Sequence, residues 1–139
     1  MKPTDCICFK LAKASQTAIR FWSQKVANLN ITVVQAMILR FLHEQDQITS
    51  RELGERTMLD SATLTGVIDR LESVGHVRRE HNPKDRRSIL IRLTAKGREV
   101  GERLDGLMEE ANREFLSEFT GEEGAALRDY LDRIRTRDD

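Results

Sequence analysis

The chain has 139 residues, of which 39% are hydrophobic and 33% are charged, and its formal net charge at pH 7 is zero. This length suits one ordinary domain and is short for two independent ones. No apolar run is long enough to cross a bilayer, and residues 1–10 do not resemble an export signal, so we expect a cytoplasmic protein with no membrane partner. The two cysteines, Cys6 and Cys8, are too close in sequence for the disulfide scaffold of a secreted protein.

The first third of the chain predicts two helices. Apolar residues recur at helical spacing from Cys8 to Leu29, with no internal Gly or Pro, as is typical of a long amphipathic helix. Thr32 then stands three residues before Gln35, the spacing of a capping box in which each side chain binds the other residue's backbone N–H. A second helix is therefore expected to begin there.

The next segment predicts two shorter helices joined by a tight turn. Thr49 and Glu52 repeat the capping spacing and open a helix of about two turns that ends near Arg56. Asp60 can cap the following helix, and Gly75 supplies its end. The inward stripe of that helix comprises Leu64, Val67, Ile68 and Leu71.

After Gly75 the pattern changes from helical to extended. Val77–His81 and Ile89–Leu93 predict two strands, separated by a polar loop over residues 82–88 that begins with Asn-Pro. The expected structure is a β-hairpin.

Two amphipathic helices are predicted after the hairpin. Thr94 is expected to cap a long helix that reaches Phe115. Thr120 with Glu123 opens a last helix, whose apolar residues continue to Ile134.

Charge is distributed unevenly along the chain although it sums to zero. The segment from His76 to Arg98 carries eight Lys or Arg against two acidic residues, which is a net charge of +6. Residues 99–139 carry thirteen acidic residues against six Arg, a net charge of −7, and residues 1–75 carry +1. A compact basic segment is typical of a surface that contacts phosphates.

The order of these elements predicts a fold. Two short helices followed by a basic hairpin form the layout of a winged helix-turn-helix, in which the second short helix enters the DNA major groove. We therefore expect a mainly α fold with a small β-hairpin wing, flanked by long N- and C-terminal helices. Residues 1–139 would form a single domain, with a DNA-binding part at 30–98 and helical dimerisation parts at 5–29 and 99–137.

Candidate DNA-contacting residues lie on the second short helix and in the hairpin loop. Outward hydroxyls and a cation can reach base edges or phosphates, and a glycine inside a helix suggests close approach of DNA or of another helix. In the loop, three cations have no role in folding, and a carboxylate beside Arg87 can orient its guanidinium. The alternatives are a merely capped, solvated helix and a solvated charged turn. The candidates are Ser61, Thr63, Thr65, Gly66, Arg70, Lys84, Asp85, Arg86 and Arg87.

Three segments resemble signatures of the MarR family of transcriptional regulators. The sequences L-E-S-V-G-H-V, N-P-K-D-R-R and L-T-A-K-G begin at Leu71, Asn82 and Leu93, and they match L-E-x-x-G-x-V, D-P-x-D-x-R and L-T-x-x-G in order. Asn82 stands where the family usually has Asp, and Asn can make the same local turn hydrogen bonds. The resemblance implies that Asp85 and Arg87 are the wing's motif residues, with Arg87 in the minor groove.

The resemblance also implies a twofold homodimer formed by the terminal helices. Such a dimer would place two reading helices on successive major grooves, about 34 Å apart, on double-stranded DNA with an inverted repeat. A monomer is the alternative, and it would expose Trp22 or its neighbours on the first helix.

Two triggers are consistent with the sequence. By resemblance, the protein would be a repressor released by a small aromatic or phenolic ligand, and Trp22, Met37 and Phe41 could line its pocket or simply belong to the core. Alternatively, Cys8 followed by Phe9 resembles the peroxide-sensing branch of the family, which would make the protein a thiol-based redox sensor. The two tyrosines of that branch are replaced here by Trp22 and Val33.

Other classes of function have less support. An all-helical protein-interaction module without DNA binding would leave the basic hairpin without a role. We do not expect an enzyme, a cofactor or a metal, because His43, His76 and His81 lack catalytic or metal-ligand spacing and no Gly-rich phosphate loop occurs.

Overall fold

The computed structural model describes residues 1–137, and its architecture matches the predicted winged helix-turn-helix with flanking helices. Two short 3-10 turns, Pro3–Asp5 and Ala27–Leu29, flank the first helix. The elements in chain order are α1 (Ile7–Val26), α2 (Val33–Glu44), β1 (Ile48–Thr49), α3 (Ser50–Thr57), α4 (Ser61–Ser73), β2 (Val77–Asn82), β3 (Asp85–Leu93), α5 (Ala95–Phe115) and α6 (Gly121–Arg135).

Side-chain caps begin the helices where the sequence predicts them. Capping boxes form at Thr32 and Thr120, in each case with a bond in both directions. Thr49 accepts from the backbone N–H at position 52, Asp60 from that at 63 and Thr94 from that at 97, at 3.1, 2.8 and 3.1 Å. Because each cap binds only three residues ahead, local spacing is enough to predict it.

A single hydrophobic core lies between α2, α4, α5 and the sheet. The predicted inward stripe of α4 is buried, and residues of α2 and α5 pack beside it. Gly101 of α5 lies close to α2, where an added Cβ would be 3.0 Å from the Cβ of His43. Core residues with less than 2% exposure include Ile38, Leu39, Leu42, Leu53, Ile68, Leu71, Val77, Ile91 and Leu104.

The hairpin belongs to a three-stranded antiparallel sheet with the order β1-β3-β2. Strand β1 was not predicted, because its pairing of Ile48 with Ile91 joins positions distant in sequence. The predicted loop over residues 82–88 is wrong. Strand β2 continues to Asn82 and β3 begins at Asp85, so Pro83 and Lys84 alone form the turn between them.

Strand and helix also meet tightly at the open end of the hairpin, which we call the hairpin base (Gly75, His76, Thr94 and Gly97). Gly75 ends the segment after α4 with a φ of 84°, as its predicted role as a helix stop requires. The Thr94 hydroxyl contacts the carbonyl oxygens of Gly75 and His76 at 2.5 and 3.1 Å. A Cβ on Gly97 would overlap the carbonyl group of His76, so only glycine fits there.

The terminal helices expose apolar side chains in the single chain. Ile19 of α1 is 55% exposed and Tyr130 of α6 is 56% exposed. Trp22 is half-buried, because its ring packs 4.8 Å from Phe115 and 5.0 Å from Phe21, centroid to centroid. The expectation that a single chain would expose Trp22 or its neighbours on the first helix is met by the neighbours, of which Ile19 is one. The first helix also ends earlier than predicted, at Val26.

No single helix in the described part of the chain is long and apolar enough to span a membrane, although the bent pair Ile7–Leu29 and Val33–Glu44 meets the length and composition jointly.

Candidate nucleic-acid interface

The outer face of α4 carries the predicted reading residues. Ser61, Thr63, Thr65 and Arg70 are exposed, and Gly66 is half-buried. The buried stripe fixes the opposite face of the helix to the core. The helix therefore presents short polar side chains near its start and one cation further along.

The hydroxyl groups of this face also serve the start of the helix. The Thr63 hydroxyl donates to Asp60 at 2.7 Å, and the Thr65 hydroxyl donates to the Ser61 carbonyl at 2.8 Å. Hydrogen bonds from the backbone and side chain of Thr63 lower the pKa of Asp60. Each threonine oxygen keeps acceptor capacity for a donor on a base edge.

Gly66 lies in open space on this face. Apart from the adjacent residues and backbone of α4 itself, a Cβ added there would meet no described atom within 4 Å. Another helix of the same chain, one of the two neighbours expected from the sequence, is therefore not the reason for glycine at this position.

Local hydrogen bonds shape residues 82–88, which we call the wing tip. The Asn82 side chain accepts from the Lys84 N–H at 3.0 Å, as expected of a residue replacing Asp, and its amide also donates to the Ser88 hydroxyl at 2.8 Å. The Asp85 carboxylate accepts from the backbone N–H of Arg87 at 3.0 Å. The expectation that Asp85 orients the guanidinium of Arg87 is wrong within residues 1–137, because the two side chains form no ion pair within 4.0 Å and the contact of Asp85 is with the Arg87 backbone.

Seven of the eight cations of the basic segment fall into two groups, and the eighth, Lys96, donates to the Val74 carbonyl at 2.8 Å. Lys84, Arg86 and Arg87 of the wing tip are exposed, and within residues 1–137 they have no carboxylate partner within 4.0 Å. Four arginines outside the wing tip are paired with acidic side chains at 2.7–3.4 Å, namely Arg78, Arg79, Arg92 and Arg98. The predicted net charge of +6 counts only acids of its own segment. Asp69 and Glu72 of α4 and Asp46, which precedes β1, offset part of it.

A groove between the start of α3 and the hairpin adds residues that sequence reasoning missed. Ser50 and Arg51, at the start of α3, line it together with Asp85, Arg87 and Ser88. The pairing of β1 with β3 brings α3 beside the wing, and no signal in the local sequence indicates that pairing.

Comparison with known proteins places the chain in a family. The model of the MarR family matches residues 31–89. The chain is 34% identical over 93% of its length to the HTH-type transcriptional regulator TtmR of Methylorubrum extorquens. It is 36% identical over 70% of its length to the organic hydroperoxide resistance transcriptional regulator of Bacillus subtilis. These matches span 65% and 66% of the two relatives, just under two thirds of each.

Solved structures agree over the whole fold. A probable transcriptional regulator from Pseudomonas aeruginosa is 31% identical, with a TM-score of 0.90 over 96% of this chain and 99% of that one. The chain belongs to the MarR family. A cysteine-to-serine variant of Escherichia coli MarR, solved with operator DNA, has 28% identity and a TM-score of 0.85 over 94% and 96% of the two chains. BpsR of Bordetella bronchiseptica, whose DNA binding is regulated by 6-hydroxynicotinic acid, has 25% identity and a TM-score of 0.92 over 99% of each chain.

In this MarR-family chain none of the predicted trigger residues lies on α4 or in the wing tip. Trp22, Met37 and Phe41 are all half-buried; Trp22 belongs to an aromatic cluster, and Phe41 packs against the core. Five open surface pockets of residues 1–137 are lined by other residues. Cys8 is exposed and Cys6 is partly buried, and both are free thiols.

Proposed function

We propose that this chain is a sequence-specific regulator of transcription that binds double-stranded DNA with α4 in the major groove and the wing tip in the minor groove. The observation that carries the proposal is the set of three exposed wing-tip cations without a carboxylate partner in residues 1–137. The similarity to MarR of E. coli, which was solved with operator DNA, supports the same conclusion.

The distinction between paired and free cations explains why the wing tip would carry the binding. A cation that contacts phosphate or enters the narrow minor groove gains from the strong negative potential there and releases counterions from the duplex. A cation already paired with a carboxylate has little net charge to contribute. Among the cations of α4 and of the segment from His76 to Arg98, those without a carboxylate within 4.0 Å in residues 1–137 are Arg70, Lys96 and the three cations of the wing tip.

The test begins with selection of a tightly bound duplex from a random pool, followed by titrations at several salt concentrations. Arg87→Ala is expected to weaken binding roughly five- to 150-fold, which corresponds to the roughly 1–3 kcal/mol of one arginine contact. It should also reduce the salt slope by about 0.9 for each phosphate that the variant no longer neutralises. Arg78→Ala is the matched control, because Arg78 lies in the same hairpin but pairs with Glu80 at 3.0 Å.

Two outcomes would contradict the proposal. If the Arg87 and Arg78 substitutions weaken duplex binding equally, the wing tip does not carry the binding. Wild-type protein without salt-dependent DNA binding would instead favour an interaction module that does not bind DNA.

We also propose that the functional unit is a homodimer on an inverted repeat. The exposed apolar residues of α1 and α6 need a partner surface, and a second copy of the chain supplies one. Sedimentation should give twice the mass of the chain. The selected duplexes should contain two half-sites with centres about 34 Å apart, and single half-sites would contradict the dimer.

For the trigger, we propose a repressor released by a small aromatic or phenolic ligand. The similarity to BpsR, whose DNA binding is regulated by 6-hydroxynicotinic acid, supports this choice. The competing trigger is oxidation of Cys8, an exposed thiol. The similarity to the organic hydroperoxide resistance regulator of B. subtilis supports it. Phenolic acids should raise the Tm and release DNA, whereas release by peroxide that Cys8→Ser abolishes would favour the redox sensor.

A further inference from the structure

The guanidinium of Arg79 on β2 lies between two carboxylates of α4. Its Nη2 is 2.7 Å from Asp69 and its Nη1 is 2.9 Å from Glu72. The side chain of Arg79 is 29% exposed, less than that of Asp69 at 61% or Glu72 at 40%. Asp69 and Glu72 are three residues apart, so both reach the same side of the helix.

Glu72 is bound to Arg79 twice. One carboxylate oxygen accepts from the Arg79 side chain, and the other accepts from the Arg79 backbone N–H at 3.0 Å. Because one contact involves the backbone, the second half of α4 is tied to the main chain of β2 and not only to a mobile side chain. The contacts therefore fix the angle between the two elements proposed to bind DNA.

The same contacts change the charge of the DNA-facing surface. Asp69 precedes Arg70 on α4 and would carry an uncompensated negative charge towards phosphates if Arg79 were absent. With Arg79 in place, Asp69 and Glu72 share one cation between them. Arg79, in turn, directs one N–H of each terminal nitrogen to these carboxylates, which offset its charge.

We propose that Arg79 is a positioning residue for DNA recognition, which holds α4 against the wing and masks the carboxylates of Asp69 and Glu72. This inference rests on the proposed DNA-binding function and deepens it, because it assigns a role to a basic residue that does not itself touch DNA. It also predicts that an arginine of the basic segment contributes to affinity without contributing to the number of phosphates that the protein neutralises.

A double-mutant cycle with Arg79→Ala and Asp69→Asn tests the inference on the selected duplex. Arg79→Ala should weaken binding about tenfold, within the range of coupling for residues of one ion-pair network, while the salt slope stays at the wild-type value. Asp69→Asn should have little effect in the wild-type background. In the Arg79→Ala background it should restore the part of the lost affinity that is due to the unmasked charge of Asp69, whereas the part due to the lost Glu72 contact should remain.

Arg92→Ala is the matched control, because Arg92 pairs with Glu80 of the neighbouring strand and has no ion pair to α4. Its effect should be smaller than that of Arg79→Ala. If Arg79→Ala fails to fold, as judged by circular dichroism, Glu72→Gln keeps the side-chain volume and removes one of the two carboxylates. It should then weaken binding in the same direction.

The outcomes separate the inference from the function on which it rests. A salt slope reduced by about 0.9 in Arg79→Ala would identify a direct phosphate contact and overturn the inference. Additive effects of the two substitutions, or unchanged binding by Arg79→Ala, would overturn it as well while leaving DNA binding intact. Wild-type protein that binds no duplex would overturn the proposed function and the inference together.

Discussion

The two ends of the hairpin are built in different ways. At the hairpin base, Thr94 bonds to the carbonyls that follow α4, and Gly97 packs against the backbone of His76. At the wing tip, the hydrogen bonds of Asn82 and Asp85 stay within seven residues of chain, and the cations are exposed.

This difference indicates that the hairpin base stabilises the fold, whereas the side chains of the wing tip are free to bind a partner. Substitutions at the base should lower the free energy of unfolding, because they disturb contacts between α4, β2 and α5. Substitutions at the tip should leave stability nearly unchanged and alter DNA affinity instead. Three measurements test this contrast at the two ends of the hairpin, and a fourth extends it to α4.

Gly97→Ala should have the largest effect. Its Cβ would overlap the His76 carbonyl oxygen and lie 2.9 Å from the carbonyl carbon, both of which belong to the backbone. Urea denaturation should show a loss of about 3 kcal/mol or more, because the neighbouring main chain must move. Gly106→Ala in the same helix is the control, since it meets no atom within 4 Å and should stabilise by up to about 1 kcal/mol. Equal stability of the two variants would contradict the close contact.

A dependence of stability on pH should also arise at the base. Burial, and secondly the charge of Lys96, lower the pKa of His76 below its usual value of 6.5. The unfolded chain therefore binds more protons than the folded chain as the pH falls below about 6.5, so the protein loses stability in that range. Urea titrations between pH 7.5 and 5.5 should show this loss in the wild type and a flatter profile in His76→Gln. Parallel profiles would contradict the assignment to His76.

Gly66→Ala should have opposite effects on stability and binding. Open space surrounds this position in the helix, so alanine should stabilise the protein by about 0.5–1 kcal/mol. If DNA approaches the backbone there, the added methyl group should weaken duplex binding. Thermal unfolding gives the Tm and a binding titration on the same preparation gives the affinity for the duplex. A variant with a higher Tm and a higher affinity would show that DNA contact does not require glycine at this position.

Asp85→Ala should have the smallest effect on stability. Its hydrogen bond to the Arg87 N–H lies at an exposed turn, so its loss should cost only about 0.5 kcal/mol, the low end for one hydrogen bond. Binding should weaken more than stability, because the backbone that carries Arg87 loses its constraint. Comparison of the unfolding free energy with the dissociation constant checks this order, and a larger loss of stability than of binding would reverse it.

The parts of the fold that sequence reasoning predicted depend on local interactions. Thr32, Asp60, Thr94 and Thr120 each cap a helix by binding three residues ahead, and Gly75 adopts the left-handed conformation that ends its segment. These features need no knowledge of the rest of the chain.

The features that sequence reasoning missed join positions that are far apart in the sequence. Strand β1 pairs with β3 across more than forty residues, and the contacts of Arg79 with α4 depend on how the hairpin folds back on the helix. The net charge of the basic segment could not show which cations are paired, because Asp46 and Glu72 lie outside it. The placement of candidate site residues was thus predictable, whereas their partners were not.

Because the hydrogen bonds of the wing tip are local, its exposed residues can be substituted independently of the core. Since Asn82, Asp85 and Ser88 hold its backbone, Lys84 and Arg86 can be exchanged without disturbing the core. A library restricted to these two positions would sample new contacts on an unchanged scaffold. The same separation would let related regulators diverge in operator preference by substitution at a few surface positions, while the joint between α4 and α5 stays fixed.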